Sequence, residues 1–541
     1  MRSPQRSNET DKLWTIMVYL AGDNNLSSEM IYTIKEMKRA KRLGAKGEIT
    51  VLVLFDPPHG LPAQGYLISS GDKDNQLSQE AVMIGVRKIK ERGRIIKSLS
   101  IIDSPNSTFE PINTGEPEPL LQFINYGLDN HKAQHYMVIL SGHGSGADQD
   151  FFLKDEGARD SLTIRELKQV FTTVKTKLNK EQPGRNIDIL GLDSCLMSMA
   201  EVYYALANIE APENSDEPST TGLGNLVEFI VGAEGFELNT GWPYERVLSA
   251  LTKKPQLSPQ ELAEKIVNTY ILYYSDFALS GLSVDLAACD LRANRANRLK
   301  DGVFELASTL KNLLKEKSVQ DAIILAHWEA QSYKFDQYTD LLDFCQLIAE
   351  RCGNKYEEID KAYKKIKSAI EDGDRIVRIS SHSGPAVQYS YGLSVYFPWN
   401  RVSSHYKQLD FARGTGWGEF LDEYVQATRR LPRCRPDLSA ASPIEHRLFK
   451  PRPERTSQPV AETLPSGEKF TLPENRFTLP ENRFTLPENR FTLPENMGVI
   501  GVTESMKNPP IEWFPVNRVK KKAKPPKAAS VPAQPVKKKK K

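Results

Sequence analysis

A thiol and an imidazole, each at the end of a short apolar run, are the side chains of this chain best suited to making and breaking a covalent bond. Cys195 ends the stretch Ile187-Asp188-Ile189-Leu190-Gly191-Leu192-Asp193-Ser194-Cys195, and His143 lies in the turn Ser141-Gly142-His143-Gly144-Ser145-Gly146 that follows Met137-Val138-Ile139-Leu140. A thiol attacks a carbonyl as the thiolate, so it needs a base within hydrogen-bond reach, and a position at a helix start lowers its pKa further. An imidazole can hold the thiol's proton and return it to a leaving amine. The glycines beside His143 let the backbone approach closely, which makes the N–H groups of Gly144 and Cys195 candidate donors to an oxyanion. Each half alone has a plainer reading. A cysteine after an apolar strand is commonly a small core residue, and Gly142-x-Gly144-x-Gly146 lacks the full dinucleotide fingerprint. The joint occurrence at two strand ends carries the catalytic expectation, because sites in open α/β sheets form outside the carboxyl ends of the strands.

The elements needed to position these residues are legible as alternating periodicities. Apolar runs bounded by turn residues recur at 14–21, 49–55, 136–140, 187–192 and 229–231, and amphipathic stretches of helical length lie between them at 27–43, 162–178 and 198–209. This alternation predicts an α/β/α sandwich on a mainly parallel sheet, with 1–12 a flexible N-terminus and 13–255 the catalytic domain. Helical periodicity dominates after Ser258, interrupted by strand-like runs at 279–286 and 392–397, so 256–430 reads as a helical accessory region completing the unit. The composition changes beyond residue 431. Phe-Thr-Leu-Pro-Glu-Asn-Arg repeats from Phe470, Phe477 and Phe484, and a fourth copy from Phe491 ends in Met497. A proline every seventh residue opposes both helix and ladder, so 431–541 is expected to be a disordered tail.

Length and charge narrow the classes. The 541 residues, 39% hydrophobic and 26% charged, suit a globular enzyme and exclude collagen-like and polytopic membrane chains. Ten lysines and no acidic residue fall between Lys520 and Lys541, so the formal charge of +3 leaves −7 on the remainder. Any nucleic-acid reading would rest on that tail alone, and no specific nucleic acid is expected; the tail's charge suits contact with anionic surfaces. Five scattered cysteines read as reduced thiols rather than a disulfide framework, and Cys345 and Cys352 lack zinc-site spacing. Glu9, Asp11 and Lys12 directly precede the first apolar run, which argues against a signal peptide, and no run approaches the ~20 residues that span a bilayer. The expected location is cytoplasmic.

An ordered set of segments resembles the clostripain family of cysteine peptidases, in the clan with the caspase-like fold. The matching pieces are 14–26 (Trp14 to Leu26, with Ala21-Gly22-Asp23-Asn24-Asn25), Gly142-His143-Gly144, Leu192-Asp193-Ser194-Cys195-Leu196-Met197, Thr240-Gly241-Trp242-Pro243-Tyr244 and Tyr391-Gly392-Leu393-Ser394-Val395-Tyr396-Phe397-Pro398. The separation of 52 between His143 and Cys195 is also close to the roughly 50 of caspases. The resemblance implies that Cys195 is the nucleophile, that His143 is its partner, and that peptide bonds after Arg or Lys are cut. Asp193, two residues from the nucleophile, supplies a carboxylate that could pair with the substrate cation. Glu234 and Trp242 are weaker substrate-binding candidates, Trp242 being as readily a core aromatic. The family often shows Asp-Ala-Cys where this chain has Asp193-Ser194-Cys195, and tends to have a Pro-Gly turn where Leu238-Asn239 stands, which puts the pocket rim in question.

The resemblance further implies self-cleavage between the histidine and cysteine segments, with Lys154 and Arg159 the candidate sites. Calcium serves some relatives and stays an option here, yet no spaced carboxylates resemble an EF-hand loop; no cofactor is expected to be required and no metal ligands are assigned. The competing expectation is a catalytically silent caspase-like scaffold whose repeat and lysine-rich tail recruits a partner. Intact His143, Cys195 and Asp193 favour the enzyme.

Overall fold

A computed structural model describes residues 12–40, 48–58, 60–68, 82–91, 94–101, 110–148, 151–209, 223–276, 281–333 and 337–429. Every described residue belongs to one compact unit, within 1–464. The seven-residue repeats and the lysine tail lie outside the described residues.

The main strands are β1 (Lys12–Ala21), β2 (Ile49–Asp56), β3 (Ala63–Leu67), β4 (Val82–Glu91), β5 (Arg94–Ile101), β6 (Ala133–Ser141), β9 (Ile187–Asp193), β10 (Val227–Gly232), β11 (Val284–Asp290) and β14 (Val377–Ser383). They form one sheet in the order β14-β11-β10-β9-β6-β1-β2-β3-β4-β5. The central strands β10, β9, β6, β1 and β2 are mutually parallel, and the flanking strands pair antiparallel. Burial explains the parallel centre. β2 is buried at every position, and such continuous apolar runs suit strands covered on both faces.

Met17 on β1 meets the helix Pro117–Asn130 so closely that a Cβ on Gly127 would stand 2.3 Å from its sulfur. That face joins a core cluster with Phe123, Leu167 and Phe171, drawn from Pro117–Asn130 and the helix Ile164–Glu181. The alternate residues Ile16, Val18 and Leu20 are equally buried. On the opposite face the helices Ser27–Arg39, Tyr244–Lys253 and Pro259–Ser275 pack in succession. The result is the three-layered α/β sandwich, with its mainly parallel centre, that the sequence predicts.

The boundary expected near residue 255 is not a boundary of this fold. β11 and β14, both from the supposed accessory region, extend the main sheet beyond β10. The helices Arg295–Leu313, Lys317–Glu329, Leu341–Cys352 and Glu357–Glu371 do follow the helical reading. Smaller sheets complete the unit: β7 (Phe152–Asp155) with β8 (Asp160–Leu162), and β12 (Ser332–Tyr333), β13 (Tyr338–Asp340) and β15 (Ser394–Tyr396). β15 backs the cysteine turn directly, since Ser394 N donates to Ser198 O at 3.0 Å and Tyr396 N to the Glu201 carboxylate at 2.9 Å.

Candidate active site

Strand register brings the two reactive turns together. Ser141 on β6 and Asp193 on β9 are paired in parallel register, so His143 and Cys195, each two residues further on, leave the sheet side by side. The contact between the turns is tight. A Cβ on Gly144 would stand 2.4 Å from the Cys195 carbonyl oxygen and 2.5 Å from Ser194 Oγ, so only glycine fits there. A bridge between Gly144 and Phe152, made by Ser145 N to Phe151 O and Leu153 N to His143 O, leaves the Gly144 N–H out of its ladder.

The cysteine turn is held from behind. Leu196 N donates to Gly235 O at 2.9 Å and Ser198 N to Ala233 O at 2.8 Å, with Leu196 in the left-handed region at φ 64°. Cys195 Sγ lies 3.7 Å from the Glu237 carbonyl oxygen. The next helix, Ala200–Leu206, starts five residues beyond the cysteine and is short. The expectation of a thiol on a helix N-terminus is therefore not met. Cys195 is partly exposed, whereas Cys289, Cys345 and Cys352 are buried and burial raises each of their thiols.

His143 and Cys195 line one cavity together with Asp193, Ser194, Glu237 and Gly241, and Leu26 and Met30 close another side. Asp193 is buried, and its carboxylate accepts from Trp242 N at 3.1 Å and the Tyr244 hydroxyl at 2.8 Å. Glu237 shares the cavity. Its Oε1 accepts the Trp242 indole N–H at 3.3 Å, while Oε2 is buried with no hydrogen-bond partner. Burial raises the Asp193 carboxyl, against the hydrogen bonds from Tyr244, Glu237, Ser141 and Trp242 that favour its charge. Burial, with the neighbouring Asp193 charge, pushes the Glu237 carboxyl well up.

Two expected substrate contacts are corrected. Glu234 does not line the cavity; it lies behind the cysteine turn, where its Oε1 accepts from Gly392 N at 2.7 Å. Trp242 is 1% exposed, its ring packs on Gly191, and its two N–H groups orient Asp193 and Glu237. Glu237 is the residue that sequence reading missed. The signal was present, an acidic residue five positions before Trp242, but nothing in one sequence distinguishes it from Glu234.

The candidate processing residues lie on the β7–β8 hairpin. Lys154 is half-buried and pairs with Glu156 at 3.0 Å, and Arg159 is exposed in the turn at φ 57°. A calcium cage does not fit the buried carboxylates behind the site. Both Asp285 oxygens accept from backbone, Glu234 N and Gly235 N, and Asp340 accepts from Asp343 N and Tyr391 N. Among the described residues no group of three or more His, Cys, Asp or Glu is arranged to hold a metal ion.

A thiol and an imidazole at adjacent strand ends of a caspase-like sandwich define the class, a thiol-dependent hydrolase. The model of the clostripain family, Peptidase C11, matches residues 18–424, and the chain belongs to that family of cysteine peptidases. Clostripain from Hathewaya histolytica is 23% identical over 433 residues, covering 73% of this chain and 76% of its own. A secreted C11 cysteine protease from Bacteroides thetaiotaomicron, solved with an irreversible peptide inhibitor, is 17% identical with a TM-score of 0.49, over 75% of this chain and 99% of its own. An inactive zymogen C11 protease from Parabacteroides distasonis is 18% identical with a TM-score of 0.47, over 75% and 99%. The cytoplasmic expectation is corrected here: two of the solved C11 proteases it resembles, both from Bacteroides thetaiotaomicron, are described as secreted. Among the described residues no helix is long and apolar enough to cross a membrane.

Proposed function

We propose that this cysteine peptidase cuts peptide bonds after Arg or Lys by a Cys195/His143 dyad. The observation carrying this reading is a single cavity whose lining includes the Cys195 thiol, the His143 imidazole and the Asp193 and Glu237 carboxyls. Cys195 sulfur bonds to the scissile carbonyl carbon as its proton passes to His143, and the N–H groups of Gly144 and Cys195 receive the oxyanion. The C–N bond then breaks, the amine leaves with the proton from His143, and water hydrolyses the thioester to regenerate the thiol. No step draws on a metal, so hydrolysis is expected to persist in chelator.

The cation preference rests on charge. A guanidinium or ammonium in the cavity meets Asp193 and the unpaired Oε2 of Glu237, and its arrival favours ionisation of both. Half-buried Lys154 and exposed Arg159, on the hairpin between the histidine and cysteine segments, are the residues after which self-cleavage would fall. Matched peptides differing only in Arg, Lys, Asp or Leu before the scissile bond test the preference. Removing a buried partner of a charge costs about 2 kcal/mol or more, so Asp193→Asn and Glu237→Gln should each lower kcat/KM for Arg and Lys peptides roughly thirtyfold or more. Alkylation of Cys195 by uncharged iodoacetamide should be little changed. Equal cleavage of Leu and Arg peptides by the unmodified protein would refute the cationic pocket.

A further inference from the structure

One polar contact at the site has no role in the dyad as described so far. The turn after β1 lies beside the turn after β6, because Leu20 and Ser141 are paired in parallel register. It carries Asn25, whose Oδ1 stands 2.6 Å from His143 Nε2. An amide oxygen accepts, so Nε2 is the donor and carries the ring hydrogen, which leaves the Nδ1 lone pair as the base.

The turn that presents Asn25 is built to be rigid. The preceding residue, Asn24, is buried, and its Nδ2 donates to Ala21 O at 2.8 Å and to Lys154 O at 2.9 Å. Its Oδ1 accepts from Leu26 N at 2.9 Å. Three contacts on one side chain thus tie the end of β1, the start of the helix Ser27–Arg39 and the β7–β8 hairpin into one support. Asn25 itself is exposed, so it contributes little packing.

We propose that Asn25 is a positioning residue for His143: by accepting the Nε2 hydrogen it fixes the tautomer and ring orientation in which Nδ1 exchanges a proton with Cys195. This rests on the dyad reading above. The same bond serves both halves of the reaction, since an imidazolium keeps its Nε2–H while Nδ1 gives its proton to the leaving amine. A neutral amide suits both states. A carboxylate in its place would favour the protonated ring throughout.

The test compares Asn25→Ala, Asn25→Asp and His143→Ala on one Arg peptide, with kcat and KM resolved across pH. Asn25→Ala should lower kcat roughly tenfold to a hundredfold, a fraction of the roughly 10²–10⁴-fold that positioned proton transfer supplies, with KM and melting temperature little changed. Asn25→Asp restores the acceptor, so kcat should recover in part, and the limb of the kcat/KM profile governed by His143 should move up by about one pH unit. The other ionisable groups of the cavity, Glu29, Asp193 and Glu237, are common to all variants, so that movement belongs to position 25. If His143→Ala is inactive while Asn25→Ala keeps kcat within twofold, or changes KM alone, the proposal is overturned and the dyad stands. An unmoved profile in Asn25→Asp also overturns it. If His143→Ala retains activity, the dyad reading itself has failed.

Discussion

Adding one methyl group at Gly144 should disable the site while leaving most of the fold in place. The ideal Cβ would lie 2.4 Å from the Cys195 carbonyl oxygen, a backbone atom that cannot swing aside, and 2.5 Å from Ser194 Oγ. Ordinary non-bonded separations begin about 1 Å further out, so the histidine and cysteine turns must part by roughly that distance. Gly144 is not in the left-handed region, so the clash is the whole effect and alanine's backbone preferences add nothing. Overpacking of this kind costs about 1–3 kcal/mol, and a displacement near 1 Å at reacting groups costs on the order of a hundredfold in kcat. Gly142→Ala is the contrast, because its Cβ would meet the Leu153 and Ala21 side chains at 3.2 and 3.3 Å and backbone no nearer than Leu153 Cα at 3.5 Å. The assay is hydrolysis of an Arg peptide by both variants beside melting temperature. Gly144→Ala should lose about two orders of magnitude in kcat with a fall of a few degrees, and Gly142→Ala much less. A Gly144→Ala protein within threefold of the parent would refute the packing of these turns against each other.

Two other perturbations probe charge and substrate. Burial, with Asp155 and Asp23 nearby, pushes the Asp56 carboxyl up to about 9, and its Oδ2 has no hydrogen-bond partner. Since an unfolded aspartate releases its proton near pH 4, the folded chain holds more protons across the window from about 4 to 9, and stability falls as pH rises through it. Asp56→Asn should therefore raise the melting temperature at pH 8 and flatten its pH dependence; an unchanged slope would refute the assignment. The repeat places Arg476, Arg483 and Arg490 in identical flanks, with Met497 at that point of the fourth copy. A synthetic peptide of two Arg-bearing copies should be cut after Arg by the active protein and the Met-ending copy left whole, as mass spectrometry of the products would show. Cuts elsewhere in the repeat would count against the cationic pocket.

Where the sequence was readable, the reason was burial on both faces. β1, β2, β6, β9 and β10 are continuous apolar runs, so their existence and their carboxyl-end turns followed from composition alone, and with them His143 and Cys195. β14 was not legible. Val377–Ser383 is only half buried along most of its length and reads Val-Arg-Ile-Ser-Ser-His-Ser, a pattern set by its place at the sheet edge. The antiparallel flank β3–β5 was equally hidden, because lysines and arginines interleave its apolar residues. The boundary at 255 came from placing the strand-like run at 279–286 outside the main sheet, which β11 and β14 in fact extend. At the site, Asp193 was readable through its closeness to Cys195, whereas choosing Glu237 over Glu234 needed the loop's path: three residues of chain turn one carboxyl into the cavity and the other behind it. Asn25 was equally hidden, since the sheet order that sets β1 beside β6 is a tertiary fact.

The central claim is that Cys195, served by His143, is the nucleophile of a site that selects a cation. The most direct measurement is covalent capture, using a peptidyl electrophile ending in arginine and locating the adduct by mass spectrometry of the digested protein. A single adduct on Cys195 is expected, absent from His143→Ala and strongly reduced when leucine replaces the arginine. Labelling of Cys352 or of no cysteine, or equal labelling by the leucine reagent, would contradict it.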